Sequence, residues 1–160
     1  MDYDYYMQFA IKEAKNAEQI GEVPIGCIIV YDNKIIATGY NKRNTKKNSL
    51  AHAEIEAINT ACEYLGDWRL EGCTIFVTLE PCAMCAGAIL QARIDRLVYG
   101  ASNKKGGSVM SIVNILDNNQ YNHTVDIVIS VLEKECSAMI TDFFLGLRKK
   151  RRNKIYIEEI

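Results

Sequence analysis

The 160-residue sequence predicts a three-layer α/β/α domain built around a mixed five-stranded β-sheet. Segments of strand-like and helical periodicity alternate in the order αββαβαβ(α)βα. A tight turn between the first two strands requires antiparallel pairing, whereas the long connection from residue 101 to residue 124 permits parallel pairing. Because both kinds of connection occur, we expect a mixed sheet in a single domain that spans residues 1–160.

The N-terminal segment predicts a helix followed by a β-hairpin. Apolar residues recur at helical spacing from about residue 3 to residue 20, and Gly21 is a typical stop signal. The apolar run Ile25 to Val30 predicts a buried strand. After a turn at Asp32-Asn33, the segment from Lys34 to Gly39 predicts the returning strand of the hairpin.

The middle of the chain predicts a loop, a helix, a strand and a second helix. Residues 41–49 are polar and basic, as is typical of a loop, and helical periodicity begins at Ala51. The β-rich segment Cys73 to Leu79 leads directly into Pro81. Because proline suits the first turn of a helix, the next helix is expected to begin here and continue to about Ala92.

The C-terminal part predicts two further strands and a long final helix. The strands are expected at Arg96 to Gly100 and at Val125 to Ile129. A short apolar group between them, from Ile112 to Leu116, suggests a crossover helix. Apolar residues at helical spacing from Leu132 onward predict the last helix, which is expected to finish in a basic helix end and tail from about residue 148.

Charge and composition restrict the possible partners and the compartment. The net charge is only −1, yet many basic residues cluster in three short stretches, at 42–47, 104–105 and 148–154. A single charge run is most often a solvated surface, but two of these stretches flank loops near a candidate metal site at residues 51–54 and 81–85, which points to a polyanionic substrate. No apolar run approaches the ~20 residues of a membrane span. Six cysteines without a secretory signal predict a reducing, cytoplasmic location in which the thiols are free or metal-bound.

Two short stretches supply a candidate metal site. Ala51-His52-Ala53-Glu54 provides an imidazole and a carboxylate, and Pro81-Cys82-Ala83-Met84-Cys85 provides two thiols one helical turn apart. Thiolates and imidazole together favour zinc, and three protein ligands with a fourth position for water are typical of a catalytic zinc. A structural site with Cys62 or Cys73 as fourth ligand, or a redox pair, remains an alternative reading of the two thiols. The remaining cysteines lie in apolar patterns typical of a core.

His-x-Glu followed by Pro-Cys-x-x-Cys is the signature of the zinc nucleobase deaminases. Beyond this signature, the chain resembles the bacterial tRNA-specific adenosine deaminases (TadA type) over nearly its whole length. The similar stretches are Glu22 to Gly26, Ala51 to Ile55, Val77 to Ala88, Asn122-His123 and Asp142 to Phe144. The resemblance implies a cytidine-deaminase-like fold, one zinc ion per chain, a homodimer, and formation of inosine at the wobble position of a tRNA anticodon arm.

The resemblance also implies roles for individual residues. It identifies His52, Cys82 and Cys85 as zinc ligands and Glu54 as the residue that moves protons between water and the base. Asn41 and the backbone amide of Ala53 are expected to contact the target nucleoside, and Asn122 and the Phe143-Phe144 pair, Phe144 in particular, to contact flanking nucleotides. At position 103 this chain has asparagine where many members of the family have aspartate. This loop lies near the RNA in the family, so the resemblance does not predict the contacts of Asn103 or whether the chain distinguishes RNA from DNA.

Two other functions are compatible with the motif. A small-molecule deaminase acting on guanine or cytosine shares the metal signature, but the basic stretches at residues 42–47 and 148–154 favour a larger, anionic substrate. A non-enzymatic, RNA-binding partner subunit is the second alternative. Such subunits commonly lack the proton-transferring carboxylate, which this chain retains as Glu54.

Overall fold

The computed structural model describes residues 1–117 and 120–158, with residues 152–158 described as backbone only. The helices and strands follow one another in the predicted order, apart from the crossover helix. They are α1 (Tyr3–Gln19), β1 (Gly26–Tyr31), β2 (Lys34–Tyr40), α2 (Ala53–Leu65), β3 (Thr74–Leu79), α3 (Ala83–Gln91), β4 (Arg96–Ala101), β5 (Asp126–Val128) and α4 (Glu133–Glu158).

The five strands form one mixed sheet in the order β2-β1-β3-β4-β5, which confirms the predicted fold class. Strand β1 pairs antiparallel with β2 and β3, whereas β4 pairs parallel with β3 and β5. Successive side chains of a strand point to opposite faces. In β3, Ile75 and Val77 accordingly join a core with α2 and α3, and Phe76 joins a second core with α1 and α4. Helices therefore cover both faces of the sheet.

The hairpin between β1 and β2 forms as predicted, because its turn residues tolerate a left-handed backbone. Asp32 and Asn33 have φ angles of 47° and 58°. Positive φ at both central positions is the requirement of a two-residue turn that matches the twist of the paired strands, and Asp and Asn adopt it more readily than most residues.

The predicted crossover helix at Ile112 to Leu116 is wrong. The segment from Ser102 to Asp117 forms turns and bends, and Ile112 and Val113 are 57% and 50% exposed. The amides of Ile112 and Ile115 bond to the carbonyls of Gly107 and Ser108, five and seven positions earlier, and not to the carbonyls four positions earlier that an α-helix would use. The β-branched and Asn residues of this segment also have low helix propensity. Strands β4 and β5 still pair in parallel, because the connection is long enough without a helix.

The final helix includes the basic run. Helix α4 continues to Glu158, so the basic residues from Arg148 to Lys154 lie within the helix. Lysine and arginine are good helix formers, which is why a basic composition does not end the helix. Within the described residues, no helix has both the length and the apolar character that crossing a membrane requires.

Close packing of α1 on β1 makes a specific prediction about stability. A Cβ atom added at Gly26 would collide with the backbone of Ala10 and Ala14 in α1, whereas one added at Gly146 in α4 meets nothing within 4 Å. Gly26→Ala should therefore lower the free energy of unfolding by about 1–3 kcal/mol or more. The matched change Gly146→Ala should leave it unchanged or raise it by up to about 1 kcal/mol. Denaturant unfolding of both variants measures the difference; equal stabilities would contradict this packing.

Candidate active site

The two motif stretches meet at the N-terminal ends of two helices. His52 is the N-cap residue of α2, with extended backbone angles, and Cys82 is the N-cap residue of α3. Cys85 lies in the first turn of α3 and is buried. The cap positions direct the imidazole of His52 and both thiols toward one another, although the two stretches are far apart in the sequence. The predicted helical-turn spacing of Cys82 and Cys85 is thus confirmed.

The ligand atoms of these three residues have the separation that a tetrahedral zinc ion requires. The Nδ1 atom of His52 lies 3.7 Å from the sulfur of Cys82 and 3.6 Å from that of Cys85. All three ligand atoms lie within 4.8 Å of one another. Zn–S and Zn–N bonds of about 2.3 and 2.0–2.1 Å at tetrahedral angles place sulfur and nitrogen about 3.5 Å apart. The donor set and its spacing therefore fit zinc.

Within the part of the chain whose side chains are described, no further His, Cys, Asp or Glu joins this group. Neither Cys62 nor Cys73, the candidate fourth ligands of a structural site, belongs to it. Cys73 is buried in the core beside α2, in agreement with its apolar pattern. A set of three protein ligands is typical of catalytic rather than structural zinc.

The two thiols differ in their electrostatic environment. The hydrogen bond between the two thiols, together with a hydrogen bond with His52, lowers the pKa of Cys82 to about 3. The same bond between the thiols raises the pKa of Cys85, and the burial of Cys85 raises it as well. Hydrogen bonding to Cys82 also raises the pKa of His52. Thiolate and neutral imidazole are the forms that bind a metal ion, so zinc binding would release the protons held by Cys85 and His52.

Glu54 lies beside the metal ligands in the first turn of α2. Its side chain is only 4% exposed and is hydrogen-bonded to Cys85. Burial raises the pKa of the Glu54 carboxyl above its usual value, against the opposing effect of a hydrogen bond from its own backbone amide. A buried carboxyl beside a metal-binding group, with a raised pKa, is suited to accept and return a proton, which is what general acid–base catalysis requires.

A cavity of about 670 Å³ opens beside this group. Four of the sequence-predicted substrate or catalytic residues line it, namely Asn41, Ala53, Glu54 and Phe144, together with the metal ligand His52. Three basic side chains also line it, and these come from two of the predicted basic stretches. They are Arg43, Lys104 and Lys105. The cavity thus combines an acid–base group, a metal-binding group and positive charge.

Hydrogen bonds with the neighbouring backbone hold Asn41 in place. Its side-chain amide donates to the carbonyl of Val23 at 3.2 Å, and its side-chain carbonyl accepts from the amide of Arg43 at 3.3 Å. Phe144 contributes a ring that is 42% exposed and stands edge-on to Phe143, with ring centroids 5.6 Å apart. A partly exposed ring at a cavity wall is suited to stacking against a planar group.

Asn122 lies outside this cavity. Its side-chain oxygen accepts a hydrogen bond of 2.7 Å from Arg93, in the loop that precedes β4. The neighbouring His123 bonds through Nε2 to the carbonyl of Ile94 at 2.8 Å. The structure therefore places the Asn122-His123 pair at the loop after α3 and does not bring it together with the other candidate residues.

Sequence reasoning left several cavity residues without a role. Val23, Ile25, Leu79, Ile140 and Thr141 line the cavity, although the sequence predicted no catalytic or binding role for any of them. Glu80 stands beside the Pro-Cys-x-x-Cys motif, where the sequence alone is compatible with either a bond to a backbone amide or a solvent-exposed side chain, and the structure buries it at 1% exposure. The apolar strand that directly precedes it was the one signal that indicated a buried position.

Comparisons with known proteins agree with this geometry. The family model of MafB19-like deaminases matches residues 1–148. The tRNA-specific adenosine deaminase of Bacillus subtilis (strain 168) is 50% identical over 149 residues, which cover 93% of this chain and 92% of the relative. The tRNA-specific adenosine deaminase of Aquifex aeolicus (strain VF5) is 43% identical over 155 residues, covering 97% and 99% of the two chains.

Solved structures show the same relationship. A structure from studies of A-to-I editing by tRNA:A34 deaminases at the wobble position of transfer RNA superposes with a TM-score of 0.81 at 43% identity, covering 84% of this chain and 98% of that one. The guanine deaminase of Bacillus subtilis superposes with a TM-score of 0.62 at 38% identity, but over only 64% and 66% of the two chains. The similarity is thus more extensive to the tRNA deaminase.

Proposed function

This chain belongs to the tRNA-specific adenosine deaminase family, and we propose that it hydrolyses adenosine to inosine at the wobble position of a tRNA anticodon. One observation carries the proposal. A His/Cys/Cys group with the spacing of a zinc site and the buried carboxyl of Glu54 border one cavity that is also lined by basic side chains. This combination supports a hydrolytic deaminase of an anionic, nucleobase-containing substrate.

His52, Cys82 and Cys85 would hold one zinc ion, since thiolates and imidazole favour this metal. When bound, zinc supplies a water molecule activated for nucleophilic attack near neutral pH. In this proposal Glu54 accepts a proton from the attacking water and delivers it to N1 of the adenine ring. Glu54, again a carboxylate, then takes the proton of the new C6 hydroxyl and delivers it to the amino group, which leaves C6 as ammonia while the C6 carbonyl of inosine forms.

Asn41 and Ala53 would orient the target nucleoside. Ala53 is the first residue of α2, where backbone amides have no partner within the helix and point toward an incoming acceptor. Asn41 is held by the backbone of Val23 and Arg43, so its side chain is preorganised for contact with the nucleoside. We propose that Phe144 stacks on a flanking base and that Asn122 contacts the RNA outside the cavity.

The basic side chains support an anticodon arm as substrate. Arg43, Lys104 and Lys105 line the cavity, and helix α4 continues away from Phe144 into its basic segment. Arg148 and Arg151 follow Phe144 at spacings of four and seven residues and therefore lie on the same helical face. The bases of an anticodon loop are already partly unstacked, so inserting one into a cavity costs less than in a duplex.

RNA binding is accordingly expected to weaken steeply as salt concentration rises. For single-stranded contacts, the logarithm of the binding constant falls by about 0.7 per neutralised phosphate for each unit of the logarithm of salt concentration. Lys105→Ala should weaken binding to all RNA sequences alike. It should also make the slope shallower by about 0.7, the value for the loss of one phosphate contact. Fluorescence titrations of an anticodon stem-loop at several salt concentrations measure both effects. A flat salt response would argue for an uncharged free-base substrate.

Homodimerisation in the cytoplasm belongs to the same proposal. The apolar residues around Ala86 to Leu90 in α3 are one place in the sequence where a second copy could pack, but Ala86, Ile89 and Leu90 are buried in the core of the chain itself. Support comes instead from Met110, Ile112 and Val113, which expose apolar surface in one segment. Light scattering at micromolar concentration should give a dimer mass, and a monomer mass alone would contradict this part of the proposal.

Substrate competition separates the proposal from its alternatives. The purified, zinc-loaded protein should release ammonia from an anticodon stem-loop with a wobble adenosine and not from free guanine or cytosine. Faster release from a free base would favour the small-molecule deaminase. A zinc-containing protein that deaminates neither substrate would favour the non-enzymatic subunit.

A further inference from the structure

Glu80 is a buried carboxylate that the proposed chemistry does not use. It follows β3 and precedes the Pro81-Cys82 turn, and it is 1% exposed. We propose that Glu80 is a positioning residue that fixes the loop of residues 102–111 as a wall of the substrate cavity. This role of Glu80 in substrate binding rests on the proposed function, because the target nucleoside would bind in this cavity.

The Glu80 carboxylate accepts hydrogen bonds from donors at both ends of this loop. The amide of Asn103 donates to one carboxylate oxygen at 2.9 Å, and the hydroxyl of Ser111 donates to the same oxygen. The other oxygen accepts from the amides of Val109, Met110 and Ser111 at 3.2, 2.8 and 2.9 Å. One side chain thus satisfies four backbone donors that no regular helix or strand would satisfy.

The segment that Glu80 holds carries cavity residues. Ser102, Asn103, Lys104 and Lys105 all line the cavity. The side-chain oxygen of Asn103 accepts a hydrogen bond from the amide of Gly106 at 3.1 Å and so closes the turn that contains Lys104 and Lys105. The position of Lys104 and Lys105 therefore depends on the anchor at Asn103, and through it on Glu80.

The loop is also shaped to leave room for the carboxylate. A Cβ atom added at Gly107 would collide with the carboxylate group of Glu80. Gly107 forms a β-bridge with Cys82, and the amide of the following Ser108 donates to the carbonyl of Pro81 at 2.8 Å. Glu80 is thus enclosed between the metal-ligand turn and the loop, in contact with both.

A carboxylate is the side chain that this arrangement requires. An ionised carboxylate is a pure acceptor with about four lone-pair sites, and hydrogen bonds to a charged acceptor are stronger than those to a neutral one. A glutamine at this position would turn an NH₂ donor toward N–H and O–H donors. Glu80→Gln should therefore release one end of the loop while conserving the volume of the side chain.

The other basic loop beside the cavity is held by a similar device. Glu22 is buried, and its carboxylate accepts from the amide and the hydroxyl of Thr45, at 2.5 and 2.8 Å, within the basic stretch at residues 42–47. Two basic loops that border one cavity are thus each attached to a buried carboxylate. This parallel supports a positioning role for Glu80 rather than a local packing role.

The test compares Glu80→Gln with the parent and with Tyr6→Phe. Tyr6→Phe removes a hydrogen bond between its hydroxyl and the carbonyl of Asn33, on the α1 side of the sheet, and controls for a general loss of stability. Steady-state kinetics on an anticodon stem-loop, zinc content and amide hydrogen exchange of residues 103–111 are measured for all three proteins at a temperature where each is folded.

For Glu80→Gln we expect KM to rise about tenfold, the size of effect that losing hydrogen bonds to a charged group produces. We expect kcat to stay within about threefold, since Glu54 and the metal ligands are held by α2 and α3. Exchange of the amides at residues 103 and 109–111 should accelerate at least about tenfold. Zinc should remain bound, and Tyr6→Phe should change none of these quantities.

Three results would overturn the proposal: an unchanged KM in an active enzyme, loss of zinc from Glu80→Gln, or unchanged exchange in the loop. If the parent itself deaminates no RNA, the proposed function fails, and hydrogen exchange alone then decides whether Glu80 anchors the loop. If Glu80→Gln does not fold, Ser111→Ala takes its place. This variant removes only the hydroxyl donor and should raise KM by a smaller factor in the same direction.

Discussion

Glu54→Ala is expected to lose nearly all deaminase activity while it retains zinc. General acid–base assistance typically accelerates a reaction by about 10²–10⁴-fold, and here one carboxyl would perform each proton transfer. The loss should therefore reach at least this range and appear in kcat. Zinc should remain bound because the ligand group of His52, Cys82 and Cys85 does not include Glu54.

The matched control for this change is Glu63→Ala. Glu63 lies in the same helix, α2, but is exposed to solvent. Single-turnover deamination of an anticodon stem-loop and zinc analysis should separate the two variants. Glu63→Ala should keep the parental rate. If Glu54→Ala also kept that rate, the role assigned to Glu54 would be wrong.

Cys85→Ala is expected to abolish both zinc binding and activity. Cys85 is a buried member of a three-ligand group, and removing one ligand leaves only two protein atoms to hold the ion. Zinc that binds the folded protein also stabilises it, by about 4 kcal/mol when its free concentration is 1,000 times the dissociation constant. The variant should therefore lose the zinc-dependent part of its thermal stability.

Cys62→Ala serves as the control, because Cys62 lies in α2 outside the ligand group. Metal analysis of the purified proteins and thermal unfolding with and without a chelator give the comparison. The chelator should lower the Tm of the parent and of Cys62→Ala but not that of Cys85→Ala. A Cys85→Ala protein that keeps stoichiometric zinc would contradict the assigned ligand set.

Structural elements that depend on the conformational preferences of neighbouring residues were predictable from the sequence. The hairpin was predictable because Asp32-Asn33 carries the backbone preference of its turn. The proximity of His52 to Cys82 and Cys85 followed from the motif, since ligands of one metal must converge wherever they lie in the chain. The geometry adds that Nδ1 of His52 faces both thiols, which spacing alone does not determine.

Long-range contacts explain what sequence periodicity did not predict. The segment at Ile112 to Leu116 has apolar residues, yet its amides at Ile112 and Ile115 bond to Gly107 and Ser108, in a loop that Glu80 holds from about thirty positions earlier. No local pattern records such a partner. The same hydrogen bonds attach the loop of residues 102–111 to Glu80. The position of Asn122 next to Arg93 likewise depends on tertiary structure.

The most direct test of the account is sequencing of the wobble position in a tRNA with adenosine there, after incubation with the purified, zinc-loaded protein. The account predicts conversion of this adenosine to inosine by the parent and no conversion by Glu54→Ala. Unmodified adenosine after incubation with the zinc-loaded parent, or equal conversion by Glu54→Ala, would contradict it.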